Sequence, residues 1–158
     1  MVAWRQSRAF TLLELLIVVA VIGVLTTLAI PVYEAYIVRV HRTVAVTNLL
    51  DLANRQTQFH LDNKTYTDNL VHLGFSDALV SKSANGSVLA FDARQVPVAL
   101  SSAERVYLIR IDSAQAQSFT LSAIPQLRQS ADTECGTYTL KQTGARFSAG
   151  TGSIADCW

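Results

Sequence analysis

Glu14 is the one charge in an otherwise apolar run, Phe10 to Ile30, that follows a short leader carrying Arg5 and Arg8. A carboxylate within hydrocarbon costs several kcal/mol unless it meets a cation or reaches the interface, so the chemistry open to it is charge pairing. Phe10 stands four residues before Glu14, the i and i+4 spacing at which groups can meet within one helix, as they also can between neighbouring helices. His41, His60 and His72 have no nucleophile or metal-ligand spacing around them, so they read as solvated or structural, with no catalytic or metal site expected. No cofactor is expected either. Cys135 and Cys157 are the only cysteines, with no second cysteine nearby in sequence and no histidine spaced as a co-ligand.

The apolar run has the length a helix needs to cross the hydrocarbon core, about 20 residues at about 1.5 Å each. Arg5 and Arg8, with no acid among residues 1–9, place the leader on the cytoplasmic side and the remaining chain outside. In such an oxidising compartment Cys135 and Cys157 are expected to be bonded, at a gain of roughly 3 kcal/mol in the chain-entropy model. A secretory signal peptide would show a small-residue cleavage site after its apolar region, whereas Ile30-Pro31-Val32-Tyr33 offers none. Half of all residues are hydrophobic, 16% are charged, and 158 residues suit one compact domain plus an anchor. Formal charge is +1, so there is no basic excess to suggest nucleic acid, and no Lys/Arg cluster with interleaved aromatics stands out along the chain.

Gly23 and Pro31 bracket Val24 to Ile30, and both lower helix stability, proline by roughly 3 kcal/mol in a helix interior. A kink is expected at Pro31. Gly23 reads equally as a close helix-packing position. Further on, Val46, Leu49, Leu50 and Ala53 repeat at i, i+3, i+4 and i+7, with Arg42, Asp51, Asn54 and Arg55 on the other positions. This spacing predicts a helix from Phe10 to about Leu61, roughly 75 to 80 Å, whose second half projects beyond the bilayer. Asp62 to Thr65 ends it, and Tyr66 to Leu73, closing at Gly74-Phe75, reads as a connecting loop in which Tyr66 packs back on the helix. Strand signals follow at Ser87–Asp92, Val106–Ile111, Ser118–Ile124 and Thr137–Lys141, with turns at Asn85-Gly86 and Thr143-Gly144. An α+β architecture results, one long helix laid on an antiparallel sheet of about four strands.

The junction Arg8-Ala9 before Phe10-Thr11-Leu12-Leu13-Glu14 resembles the class III leader of type IV pilins and their relatives. The tail, Cys135-Gly-Thr-Tyr-Thr-Leu, Thr143-Gly-Ala-Arg and Asp156-Cys157-Trp158, is similar to the PilE-type minor pilins of type IVa pili. This resemblance implies the pilin fold, with a leader at 1–9 that is removed and a membrane-spanning assembly helix over 10–31. The amphipathic outer half of that helix then covers 32–62, and a globular sheet domain with the loop 135–157 covers 63–158. It implies cleavage between Ala9 and Phe10 by the prepilin peptidase, methylation of the Phe10 amine, and pairing of Glu14 with that amine on a neighbouring subunit. It also implies melting between Gly23 and Pro31 in the filament. The implied function is a structural subunit, a minor pilin active in assembly or priming and hence in twitching motility, adhesion or DNA uptake. Its expected partners are major and minor pilins, the peptidase, the assembly platform and, before assembly, the inner membrane. Two alternatives share the anchor: a type II secretion pseudopilin, against which the Cys135 to Cys157 loop argues, and an uncleaved envelope protein that binds a ligand.

Overall fold

The computed structural model describes residues 10–83 and 86–158. The expected leader, with Arg5, Arg8 and the Ala9 side of the cleavage junction, lies outside the described residues, as does Asn85 of the expected Asn85-Gly86 turn. One helix, α1, runs over Leu12–Asn63 and includes both Gly23 and Pro31. The chain divides into two compact units, Met1–Ile37 and Val38–Trp158.

In the first unit every described side chain from Phe10 to Tyr36 is exposed. Thr26 and Thr27 return their hydroxyls to the helix, donating to the carbonyls of Ile22, Gly23 and Val24. A hydroxyl in an apolar segment is thereby satisfied without water.

The second unit holds the sheet. Its strands are β1 (Ser81–Ser83), β2 (Gly86–Asp92), β3 (Pro97–Val98), β4 (Arg105–Ala114), β5 (Phe119–Pro125), β6 (Tyr138–Lys141) and β7 (Arg146–Ser148). They pair antiparallel in the order β1-β2-β4-β5-β6-β7, with β3 on β2. The four expected strands are β2, β4, β5 and β6. The other three are two or three residues long and carry little apolar alternation, so their pairing is set by their neighbours. Gly86 opens β2 at φ +106°, where a Cβ would stand 1.9 Å from the Ile111 carbonyl oxygen.

Alternate residues of these strands, among them Leu89, Phe91, Tyr107, Ile109, Leu121, Tyr138 and Leu140, form one cluster with Val44, Ala45, Leu49 and Leu52 of α1. The helix stripe differs from the expected one. Leu50 is exposed, Val46 and Ala53 are half-buried, and Arg42, expected on the polar side, faces inward. The buried line Val44, Ala45, Leu49, Leu52, Gln56 lies beside the expected line because Arg42 and Gln56 find polar partners within the fold. Hydropathy cannot show that. Gln56 is fully buried, and its amide bonds both the N–H and the C=O of Thr67, as a neighbouring strand would.

The connection after α1 is as expected in kind, with a short 3-10 turn over Leu70–Leu73 capped by Asn69 and closed at Gly74. Tyr66 packs back on the helix, stacked on His60 at 4.4 Å and edge-on to Phe119 at 4.8 Å. His72 lies beside Phe59 and within hydrogen-bond reach of Thr67 and Asn69.

Candidate functional site

Cys135 and Cys157 are bonded. The loop they close is built as a backbone ladder rather than left slack. Gly150 N–H donates to Cys135 O, Thr151 N–H to Thr133 O, and Gly152 N–H to Glu134 O. Gly150 passes so near Glu134 that a Cβ would sit 2.2 Å from its carbonyl oxygen, so only glycine fits. A short helix, α2 (Ile154–Cys157), is capped by the Ser153 hydroxyl and delivers the second cysteine and then Trp158.

Arg42 of α1 anchors the start of this loop. Its guanidinium makes two bonds of 2.8 Å to the Asp132 carboxylate and one of 2.6 Å to Glu134. The Asp132 bond, foremost, holds the guanidinium pKa above its ordinary value. Beside it, the Gln129 amide donates to Val38 O and to the Tyr107 hydroxyl. Burial, and then the nearby Asp132, push the Tyr138 phenol up to about 12, and burial raises Tyr107 as well.

Within the loop, β6 and β7 form a hairpin whose two faces are equipped alike. Tyr138 and Leu140 face the core, so Thr139 and Lys141 face away from it. Phe147 stands opposite Thr139, and the Lys141 ammonium lies 5.2 Å from the Phe147 ring centre. Arg146 stands opposite Leu140 on the core side, its guanidinium 5.4 Å from the ring centre of Trp158. Trp158 in turn meets Tyr138 edge-on and donates its indole N–H to Phe147 O. Lys141, Arg146 and Phe147 are exposed, and neither cation has a carboxylate partner among the described residues. Contacts of this kind between a cation and a ring face are worth about 0.5 to 1 kcal/mol at exposed sites. A linear reading missed this cluster because Trp158 arrives from 11 residues beyond Phe147. The flanking of Thr143-Gly144 by Lys141 and Arg146-Phe147 was the available signal.

The amino-terminal site residues lie in the first unit. Glu14 is exposed at the first turn of α1, where its N–H bonds the Thr11 hydroxyl, and Phe10 is 79% exposed. Gly23 has no atom within 4 Å of the place its Cβ would take. One helix among the described residues, α1, is long and apolar enough to cross a membrane. His41, His60 and His72 are not gathered by the fold, and no described group of three or more His, Cys, Asp or Glu side chains is placed to hold a metal.

A long apolar-ended helix, an antiparallel sheet and a carboxy-terminal disulfide loop together define the architecture of a pilin, a structural and non-enzymatic class of protein. Residues 31–139 match the family model described as type IV minor pilin ComP, DNA uptake sequence receptor, and residues 4–30 match the prokaryotic N-terminal methylation motif. The chain belongs to this type IV minor pilin family. Among curated relatives it is 37% identical over 91 residues to the type IV wide pilus major component PilA4 of Thermus thermophilus, covering 51% of this chain and 70% of that one. It is 39% identical over 71 residues to the type IV major pilin protein PilA of Myxococcus xanthus, 45% of this chain and only 32% of the relative. The type II secretion system core protein G of Dickeya chrysanthemi is 33% identical over 78 residues, covering 49% of each chain.

Proposed function

We propose that this chain is a prepilin cut between Ala9 and Phe10, methylated at the new amine, and assembled as a minor subunit of a type IV pilus that serves DNA uptake. Before assembly it is held in the bacterial inner membrane by residues 10–31, amino terminus cytoplasmic and residues 63–158 periplasmic. The observation that supports assembly is the exposure of every described side chain from Phe10 to Tyr36. Such an apolar surface needs lipid first and the helices of other pilins afterwards. Glu14 then serves as a register mark, pairing with the Phe10 amine of a neighbour, since opposite charges attract strongly where water is excluded. Residues 24–30 loosen between Gly23 and Pro31 as subunits pack. The prepilin peptidase and the assembly platform are the expected partners.

Intact-mass measurement of the chain from cells with an active peptidase tests the processing step. Loss of residues 1 to 9 with one added methyl group is expected, and retention of Met1 through Ala9 would overturn it. Glu14→Ala should leave membrane insertion intact and lower the amount of chain in sheared filaments. An unchanged amount would count against the pairing role.

DNA uptake is favoured over twitching or adhesion by the family description together with the β6–β7 hairpin. The hairpin is the edge of the sheet, with β6 bonded to β5, and its exposed Lys141 and Arg146 are placed to meet DNA phosphates. This differs from the expectation of no nucleic-acid partner, which rested on charge along the chain. With about two phosphate contacts, binding should weaken with a log–log salt slope of roughly −2. Gel-shift titration of the purified chain with duplex DNA, against Lys141→Ala/Arg146→Ala, checks this. Equal affinity for the two proteins would remove the hairpin from the reading.

A further inference from the structure

Among the described residues of the second unit, Phe147 is the only phenylalanine, tyrosine or tryptophan with an exposed side chain, at 45%. The others turn into the core or pack on a neighbouring ring, as Tyr66 does on His60 and Trp158 on Tyr138. Strand position sets this exposure, since Phe147 stands opposite Thr139 on the face of the β6–β7 hairpin turned away from Tyr138 and Leu140. Thr139, and Thr120 opposite Lys141, are too short to cover the ring. What lies against it is the Lys141 ammonium, 5.2 Å from the ring centre. A lone exposed ring is ordinary on a protein surface. This one is flanked by Lys141 and Arg146, two cations with no carboxylate partner among the described residues. An open ring between cations is the combination that holds a single nucleic-acid strand, base on ring and phosphates on the charges.

We propose that Phe147 is a stacking platform for a base of an unpaired DNA strand. The inference rests on the DNA-uptake reading of the hairpin and deepens it by naming the form of DNA this ring takes. In a duplex each base is already stacked and shows only its edges in the grooves, so a surface ring reaches no base face without unstacking a step. An unpaired strand offers its base faces without that cost. The Lys141 ammonium holds the ring until a strand arrives. Its contact is weak at an exposed site and base stacking is stronger, so the base displaces it. The flexible lysine stem then carries the ammonium to the phosphate beside the stacked base. Arg146 stays over Trp158, 5.4 Å from its ring centre, and supplies the second cation. The bond from the Trp158 indole N–H to Phe147 O steadies the strand that carries the platform. Every base has a π face, so the site tolerates any base.

A labelled oligothymidylate of about 15 nucleotides and a duplex of the same length, each titrated with the purified full-length chain in detergent, test it. Phe147→Leu is expected to weaken the oligothymidylate about tenfold more than the duplex. Its salt slope on the single strand should be unchanged, because the phosphate contacts remain. Phe147→Tyr keeps the ring and should bind as the unaltered chain does. Equal losses on both DNAs, no loss on either, or a Phe147→Tyr chain no better than Phe147→Leu overturn the stacking role. As a second measurement, an oligothymidylate carrying 5-iodouracil should cross-link to Phe147 on irradiation, and cross-links confined to other residues overturn the platform. Unaltered binding of both DNAs by Lys141→Ala/Arg146→Ala removes the hairpin reading and this inference together. Weakened binding by that variant with no effect of Phe147→Leu removes the stacking and leaves the hairpin in the DNA reading.

Discussion

Arg42 joins α1 to the disulfide loop through one guanidinium and two carboxylates, and Asp132 is almost wholly buried beneath it. Truncating one partner of a buried pair leaves the other charge uncompensated, at a cost of about 3 to 5 kcal/mol. Arg42→Ala should therefore lower the urea midpoint of the purified chain strongly. Arg42→Lys should fall between, because an ammonium cannot make the bidentate contact to Asp132. Gln56 supplies a second test at this scale. Its amide satisfies both backbone groups of Thr67, so Gln56→Leu orphans two buried polar atoms at about 1 to 3 kcal/mol each, despite its better hydrophobicity. Neither role was legible along the chain, where Arg42 and Gln56 look like members of a solvated face. Burial of a polar side chain depends on a partner, and here the partners lie 11 and 90 positions away.

At the scale of elements, α1 carries opposed demands. Its first turns, apart from Glu14, expose an apolar surface all round, while its later turns satisfy the sheet through one buried line of residues. Gly23 lies where nothing crowds it, so Gly23→Ala removes a weak point at a gain of about 1 kcal/mol in helix stability. If loosening between Gly23 and Pro31 accompanies filament packing, Gly23→Ala should slow assembly while raising helicity by circular dichroism. Normal assembly would assign that stretch a passive role. The disulfide loop is the other element with a separable contribution. Cys135→Ser/Cys157→Ser should cost roughly 3 kcal/mol in the chain-entropy model, and it frees Trp158 from Tyr138 and Arg146. Weaker DNA binding is expected to accompany that loss, and a gel shift on the double variant checks it.

For the whole molecule, two groups of titrating residues bound the pH range of stability. Burial alone would raise the Asp92 carboxyl, but bonds from the Val96 N–H and from Arg94 outweigh it and hold the group below its usual value. Its contribution is therefore present above about pH 3.9 and is lost as pH falls through the lower folded value. Tyr138 and Tyr107 act at the other end, since burial raises both phenols in the folded state. Their contribution is complete below about pH 10, and that of Tyr138 is lost as pH climbs towards about 12. Urea midpoints at acid, neutral and alkaline pH, with tyrosinate absorbance, should show a plateau falling at both ends. The amino-acid sequence by itself determined the apolar helix with Glu14, the four main strands, the bonded cysteines and the family. Each of these depends on local composition, a period of two or 3.6, or the compartment. Tertiary structure decided the buried line of α1, the pairing of Arg42 with Asp132, the three short edge strands and the meeting of Arg146 with Trp158. Those features depend on partners distant in the chain, and no local pattern specifies which distant group will arrive to share a proton or cover a ring.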